Sequence, residues 1–312
     1  MDIYELTCSF FENIPIMSAW PQMRRLIDRN VANKPRDWML PVLGCEAARG
    51  NVEKIIPGVA AIACMQISIT LIDDLLDNDP RGCQHLLGSP HTANLAAAFQ
   101  ALGMKALLEA DVNTSMKLAT LQAINVMMLT VAHGQYLDTL NLSNEEDYWR
   151  VVRAKSSAFF GTALLLGYLF GGSDEGMEQI LEFGNLYGEM IQIHDDLNDA
   201  LAVPASPDWT LGRSSLLILF ASTVDHPDKD EFLQLRKNIS DQEALVQAQE
   251  ILIRCGAISY CIHVLLERYK TAGQLLESAP VPNKEGLHSL LKSAVQPVLD
   301  LYASLGLPDP LI

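Results

Sequence analysis

Six aspartates in two short clusters are the residues of this sequence best placed for chemistry. Asp73, Asp74 and Asp77 stand in LIDDLLDND, and Asp195, Asp196 and Asp199 in MIQIHDDLND. In each cluster the first and third aspartates are four apart. A helix would therefore carry both carboxylates on one face, one turn from each other, with the middle one roughly 100° away. Like charges at that spacing cost a helix a few tenths of a kcal/mol, and more when half-buried, unless a cation compensates. Oxygen-only ligands of this kind suit Mg2+, a hard cation that keeps several waters and shares itself with the phosphates of a substrate. One DDxxD in an acidic chain reads more readily as a solvated helix face. Here both copies follow apolar stretches, ISITLI and EMIQI. That places them at the mouth of a core, and we expect them to face each other across a cavity and to hold metal ions.

The elements that must position these clusters are helical. PGVAAIACMQISITLIDDLLD reads as one long helix opened by Pro57, and MEQILEFGNLYGEMIQIHDDLNDAL as another. Between them lie PHTANLAAAFQALGMKALLEADV, MKLATLQAINVMMLTVAHGQYLDTL and NEEDYWRVVRAKSSAFFGTALLLGYLFGG. QEALVQAQEILIRCGAIS, YCIHVLLERYKTAGQLLES and KEGLHSLLKSAVQPVLDLYASL follow. Period-two alternation and Asn-Gly or Asp-Gly hairpin turns are lacking. No repeat, low-complexity segment or long Pro/Gly linker marks a boundary. The pattern predicts one all-α domain, 1–312, of ten or more helices, several apolar on most faces and so surrounded by others.

With 49% hydrophobic and 19% charged residues the chain is a folded protein. Its formal net charge of −16 argues against nucleic acid and anionic membrane surfaces as partners. The six cysteines form no CxxC pair and sit mostly in apolar helical patterns, so we expect free thiols and a reducing, cytoplasmic setting. MDIYELTCSFFENIP has no basic leader and does not read as a secretory signal. The longest uninterrupted apolar runs, such as SAFFGTALLLGYLFGG, fall short of the ~20 residues of a spanning helix, so no membrane span is expected.

The paired clusters resemble the two aspartate-rich motifs of the trans-prenyl diphosphate synthases, the farnesyl and geranylgeranyl diphosphate synthase group. The likeness runs roughly from Lys34 to Leu276. GQYLD at 134–138 is similar to the family's GQxxD helix and brings in Gln135. AKSSAFFGTALLLG resembles the segment with a substrate-binding lysine, which points to Lys155. QIHDDLND matches the second motif with its preceding glutamine, Gln192. GRSS falls where the family has a loop carrying a cation, which points to Arg213. The resemblance implies the class I isoprenoid synthase fold, a helical bundle around a central active-site cavity, and a homodimer. It also implies three Mg2+ ions bound with the diphosphate of an allylic substrate. Lys155 and Arg213 would stabilise the leaving diphosphate beside those metals. The allylic cation needs a dry apolar pocket, for which Phe159, Phe160, Tyr136 and Phe99 are candidates, each of which also reads as ordinary core.

The acceptor side departs from the family pattern. Lys34 in NKPRDWML stands at the family's lysine position, but the arginine expected three residues later is Asp37, with Arg36 beside it. Gln66 matches an acceptor contact, and DNDPRG offers one arginine, Arg81, where the family has two. Product length is set in the family by bulk just upstream of the first motif. Ser68 leaves room there, Ile69 adjoins it, and Met65 is a candidate floor. Chain elongation with isopentenyl diphosphate is the reading preferred on overall likeness. A terpene synthase, or transfer to another acceptor on the same fold, is the alternative. A non-catalytic partner subunit is a third reading, against which all six aspartates are kept.

Overall fold

A computed structural model describes residues 2–140, 144–211, 213 and 215–311. Of the expected GRSS loop, Gly212 and Ser214 lie outside the described residues. Seventeen α-helices and no strand occur among the described residues, so the all-α expectation holds.

The chain forms two compact units. One comprises Met1–Val131, Phe159–Gly184 and Ser278–Leu287; the other comprises Ala132–Ala158, Asn185–Glu277 and His288–Ile312. Each is assembled from separated segments, so no single cut in the sequence divides them.

The first unit is built on the helix Ile56–Asp77. Pro57 sits in its first turn, where a missing N–H costs nothing, and residues 58–65 are all buried. It stops at Asn78, which takes a left-handed conformation (φ 49°) and returns its N–H to the Asp74 carbonyl. The helix Ser89–Glu109 packs against it, and Gly103 is one of its contact positions. A Cβ there would lie 2.6 Å from Met65 Cε and 3.1 Å from the Ala61 carbonyl oxygen. Ala158–Phe170 adds the most apolar segment of the chain, buried along most of its length.

The second unit contains the rest of the functional segments. Glu145–Val152 begins at Asn144, whose side chain accepts from the Asp147 N–H. The expected helix over 144–172 is interrupted by a π-helical turn at Arg153–Ser157. Gln242–Arg254 and Ala257–Ser278 meet at a bend of 55°, at Gly256 (φ 87°). The sequence pattern puts that break a few residues later; glycine's access to positive φ decides it. Ile3–Glu12, Pro21–Asn33, Leu216–Thr223 and Lys229–Arg236 are further helices not anticipated individually.

By length and composition two helical stretches could cross a bilayer, Val52–Asp77 and Thr114–Asp138. They exceed the apolar runs counted in the sequence because isolated polar residues interrupt them without lowering their mean hydropathy below that of a span. The most apolar window of the first is 67% buried in the protein; that of the second is only 22% buried.

Candidate active site

The first aspartate cluster occupies the last turn of Ile56–Asp77, with Asp73, Asp74 and Asp77 all half-buried. Burial raises the Asp74 carboxyl above its ordinary range, and Asp79 and Asp73 add to the shift. The Gln84 amide donates to the carbonyls of Asp74 and Asp79 at 2.9 and 3.0 Å and ties the following loop to the helix end.

Residues expected to hold the acceptor are not gathered into one cationic site. Arg81 is turned onto Asp79, whose carboxylate accepts from its backbone N–H (2.7 Å), Nε (3.1 Å) and Nη2 (2.7 Å). That contact lowers the Asp79 pKa. The left-handed backbone of Lys34 directs its ammonium to Asp2 at 2.8 Å, over the Tyr4 ring. Arg36 is exposed. Gln66 is the exception, because it is locked in place. Its amide donates to Asp37 at 2.5 Å and accepts from Trp38 Nε1 at 2.7 Å. Burial pushes the Asp37 carboxyl up to about 6.

Two further expectations are corrected. Ser68 lines no open space: it is fully buried and accepts from the Gln100 amide at 3.1 Å. The cause is helix periodicity, since position 68 is about 140° around the helix from Asp73. Tyr136 is 59% exposed and stacks on His133, so it is not a pocket residue. Phe159 and Phe160 are buried edge to face, with centroids 5.6 Å apart, and Phe99 is fully buried.

In the second unit the expected residues do converge. The GQYLD segment ends Thr114–Asp138. Gly134 packs on the π turn so closely that a Cβ would lie 2.6 Å from the Lys155 backbone nitrogen. Lys155 Nζ donates to Asp138 Oδ2 at 2.7 Å, and Arg213 Nη1 donates to the same oxygen at 3.1 Å. The backbone carbonyl of Arg213 accepts from Arg236 Nη2 at 3.1 Å. Gln135 is buried, with its amide nitrogen making no hydrogen bond.

The second cluster lies near the end of Met177–Ala200. Asp195 and Asp199 are exposed, whereas Asp196 is buried. Asp196 accepts from Gln192, from the Tyr148 hydroxyl and from the Leu216 N–H. Burial raises it to about 6 despite those donors. Asp208, on the short helix Pro207–Thr210, is pushed to about 7 by burial and by the charges of Asp196, Asp199 and Asp138. Asp138, Tyr148, Asp208 and Arg236 were not among the predicted site residues. Asp138 was within reach of sequence reasoning, as the acid that closes GQYLD. The others carry no local signal, because they are joined to the motifs only by the fold.

Residues 32–252 match the family described as polyprenyl synthetase. A geranylgeranyl diphosphate synthase of Methanosarcina mazei is 27% identical over 238 residues, covering 70% of this chain and 71% of that one. A geranylgeranyl pyrophosphate synthase of Geoglobus acetivorans is 27% identical over 260 residues, covering 77% and 78%. Among solved structures, geranylgeranyl pyrophosphate synthetase from Pyrococcus horikoshii superposes with a TM-score of 0.80 at 21% identity, over 93% of this chain and 94% of that one. A polyprenyl synthase from Caulobacter crescentus, solved with calcium and isoprenyl diphosphate, gives 0.79 at 18% identity, over 94% and 93%. The fold is therefore that of the class I isoprenoid synthases, and the chain belongs to the polyprenyl synthetase family of prenyltransferases.

Proposed function

We propose that the chain, acting as one synthase over 1–312, lengthens a short allylic prenyl diphosphate by one isoprene unit taken from isopentenyl diphosphate. The observation that carries this is the meeting of Lys155 and Arg213 on one oxygen of Asp138. Two cations aimed at one anionic oxygen form a receptor for a diphosphate, with Asp138 as the counter-ion that keeps them in place.

The residues fit Mg2+. Asp73 and Asp77 in one unit, and Asp195 and Asp199 in the other, each offer a pair of carboxylates one helical turn apart. Among the described residues no three His, Cys, Asp or Glu side chains form a ready cage. An ion held by either pair would complete its shell from water and substrate oxygens, which is how Mg2+ behaves. When bound, it would neutralise charge developing on the departing diphosphate. Lys155 and Arg213 would donate to the same group.

A homodimer accompanies this reading. Leu118, Val126 and Leu129 of Thr114–Asp138 are 63%, 57% and 68% exposed, and Leu108 of the preceding helix is 57% exposed. A second copy of the chain would cover this apolar row. Sedimentation should give a dimer at micromolar concentration; a monomer, or a species that requires lipid, would refute it. A cytoplasmic location fits six cysteines that are all free.

One observation favours a second reading. Lys34 is paired with Asp2, and a half-buried Asp37 stands where the family resemblance leads one to expect an arginine, so the expected acceptor residues form no cationic cluster. An enzyme that ionises and cyclises its substrate needs no such site. The test is incubation with Mg2+ and geranyl, farnesyl or geranylgeranyl diphosphate, with and without isopentenyl diphosphate, followed by mass identification of products. A longer diphosphate formed only with isopentenyl diphosphate supports elongation. A hydrocarbon or alcohol of unchanged carbon number, formed without it, refutes it.

A further inference from the structure

Of the six motif aspartates, Asp196 is the one that is buried, and three protein groups donate to it. Its side chain is buried at 3% exposure. Oδ1 accepts from Gln192 Nε2 at 2.9 Å; Oδ2 accepts from the Tyr148 hydroxyl and from the Leu216 N–H, both at 2.7 Å. These three donors occupy three of the carboxylate's roughly four lone-pair directions.

The partners lead to the two cations. Gln192 Oε1 accepts from the Ser156 hydroxyl at 2.5 Å, and Ser156 follows Lys155 on the π turn. Leu216 opens the helix Leu216–Thr223, whose preceding residue, Ser215, makes no side-chain cap. The Asp196 carboxylate therefore serves as that helix's cap from a distance in sequence, and the segment it anchors begins two residues after Arg213. One route runs from Asp196 through Gln192 and Ser156 to the turn carrying Lys155. The other ends at the N–H of Leu216, three residues along the chain from Arg213. Both cations end on Asp138 Oδ2.

We propose that Asp196 is a positioning residue that keeps Lys155 and Arg213 in register with each other, and is not a metal ligand. The proposal rests on the reading of those two cations as the diphosphate receptor, and extends it by separating the middle aspartate of the motif from its neighbours. Asp195 and Asp199, by contrast, are exposed.

The experiment compares full-length Asp195→Asn, Asp196→Asn, Tyr148→Phe and Lys155→Met with the unaltered chain. Two quantities are read: the Mg2+ concentration giving half-maximal turnover, and the affinity for inorganic pyrophosphate without divalent metal, by calorimetry. Tyr148→Phe removes one donor to Asp196 while keeping the ring and its packing, so it reports on the network even if Asp196→Asn fails to fold. Asp195→Asn should raise the Mg2+ requirement at least about tenfold and leave metal-free pyrophosphate binding intact. Asp196→Asn and Tyr148→Phe should leave the Mg2+ requirement within about twofold and weaken pyrophosphate binding roughly 5- to 30-fold, the effect of one or two lost hydrogen bonds. An Asp196→Asn variant whose Mg2+ requirement moves with that of Asp195→Asn overturns the proposal. So does unchanged pyrophosphate binding in Tyr148→Phe when Lys155→Met weakens it. If Lys155→Met itself binds pyrophosphate as the unaltered chain does, the underlying reading of the cations falls too.

Discussion

Lys155 and Arg213, on separate segments of the chain, donate to the same oxygen of Asp138, at 2.7 and 3.1 Å. The three side chains are 22%, 15% and 16% exposed, so the cluster is shielded but not dry. Charge-assisted contacts of this kind contribute about 1.5–3 kcal/mol each, less where water screens them. Asp138→Asn is therefore expected to destabilise the ligand-free protein by about 2 kcal/mol, because two cations are left facing each other. Inorganic pyrophosphate should narrow the difference, since it supplies the missing charge. Thermal melts with and without pyrophosphate test this; a variant that melts with the unaltered chain in both conditions contradicts it.

Asp73→Asn and Asp195→Asn should each raise the Mg2+ concentration for half-maximal turnover at least about tenfold, with little loss of stability. Neither residue is deeply buried, and each stands one turn from another carboxylate. Removing one charge from a like-charged pair relieves repulsion in the metal-free protein by a few tenths of a kcal/mol. Melting temperatures should be equal or slightly higher. A Mg2+ requirement equal to that of the unaltered chain in either variant would sink the metal role.

The glycine of GQYLD has a steric task. A Cβ on Gly134 would meet the Lys155 backbone nitrogen at 2.6 Å and the Ala154 carbonyl carbon at 2.8 Å. Both are backbone atoms and cannot swing aside. Gly134→Ala should push the π turn away from its neighbour, at a cost of about 1–3 kcal/mol for overpacking. The displaced ammonium of Lys155 should raise KM for the allylic diphosphate more than the stability loss alone would suggest. Gly103→Ala is the control: its nearest new contact is the flexible end of Met65, at 2.6 Å. Equal KM values in Gly134→Ala and the unaltered chain would contradict the placement.

The aspartate clusters, the long helices around them and the family were legible in the sequence because they are local. Residues 73 and 77, or 195 and 199, share a face by helix geometry alone. The motifs point to Lys155 and Arg213 but not to their common partner, since nothing local joins 155 to 213. The π turn at Arg153–Ser157 was invisible because it changes hydrogen bonding by one residue without changing composition. Ser68 differs from its expected place because closeness in sequence to Asp73 says nothing of direction around the helix. Position in the sequence points Lys34 to the acceptor, whereas the structure pairs it with Asp2.

Asp37 gives a pH-dependent prediction. It is half-buried and bonded to Gln66, and desolvation raises its pKa from the ordinary 3.8 to about 6. The folded protein therefore holds this proton more tightly than the unfolded chain does. Below about pH 3 the group is largely protonated in both states and contributes little. As pH rises to about 6 the unfolded chain releases the proton first, and stability falls. Above that the cost is complete, up to about 3 kcal/mol at 1.36 kcal/mol per pKa unit. Asp37→Asn removes the charge and leaves an amide oxygen to accept from Gln66 Nε2. The variant should be more stable than the unaltered chain at pH 8 by about 2 kcal/mol or more, with most of that gain gone at pH 4. Asp196 and Asp208 are also raised by burial, but they are common to both proteins and cancel in the difference. Urea unfolding of both proteins at the two pH values is the measurement. A gain of equal size at both would show that the effect is packing and that Asp37 is not held as a reluctant anion.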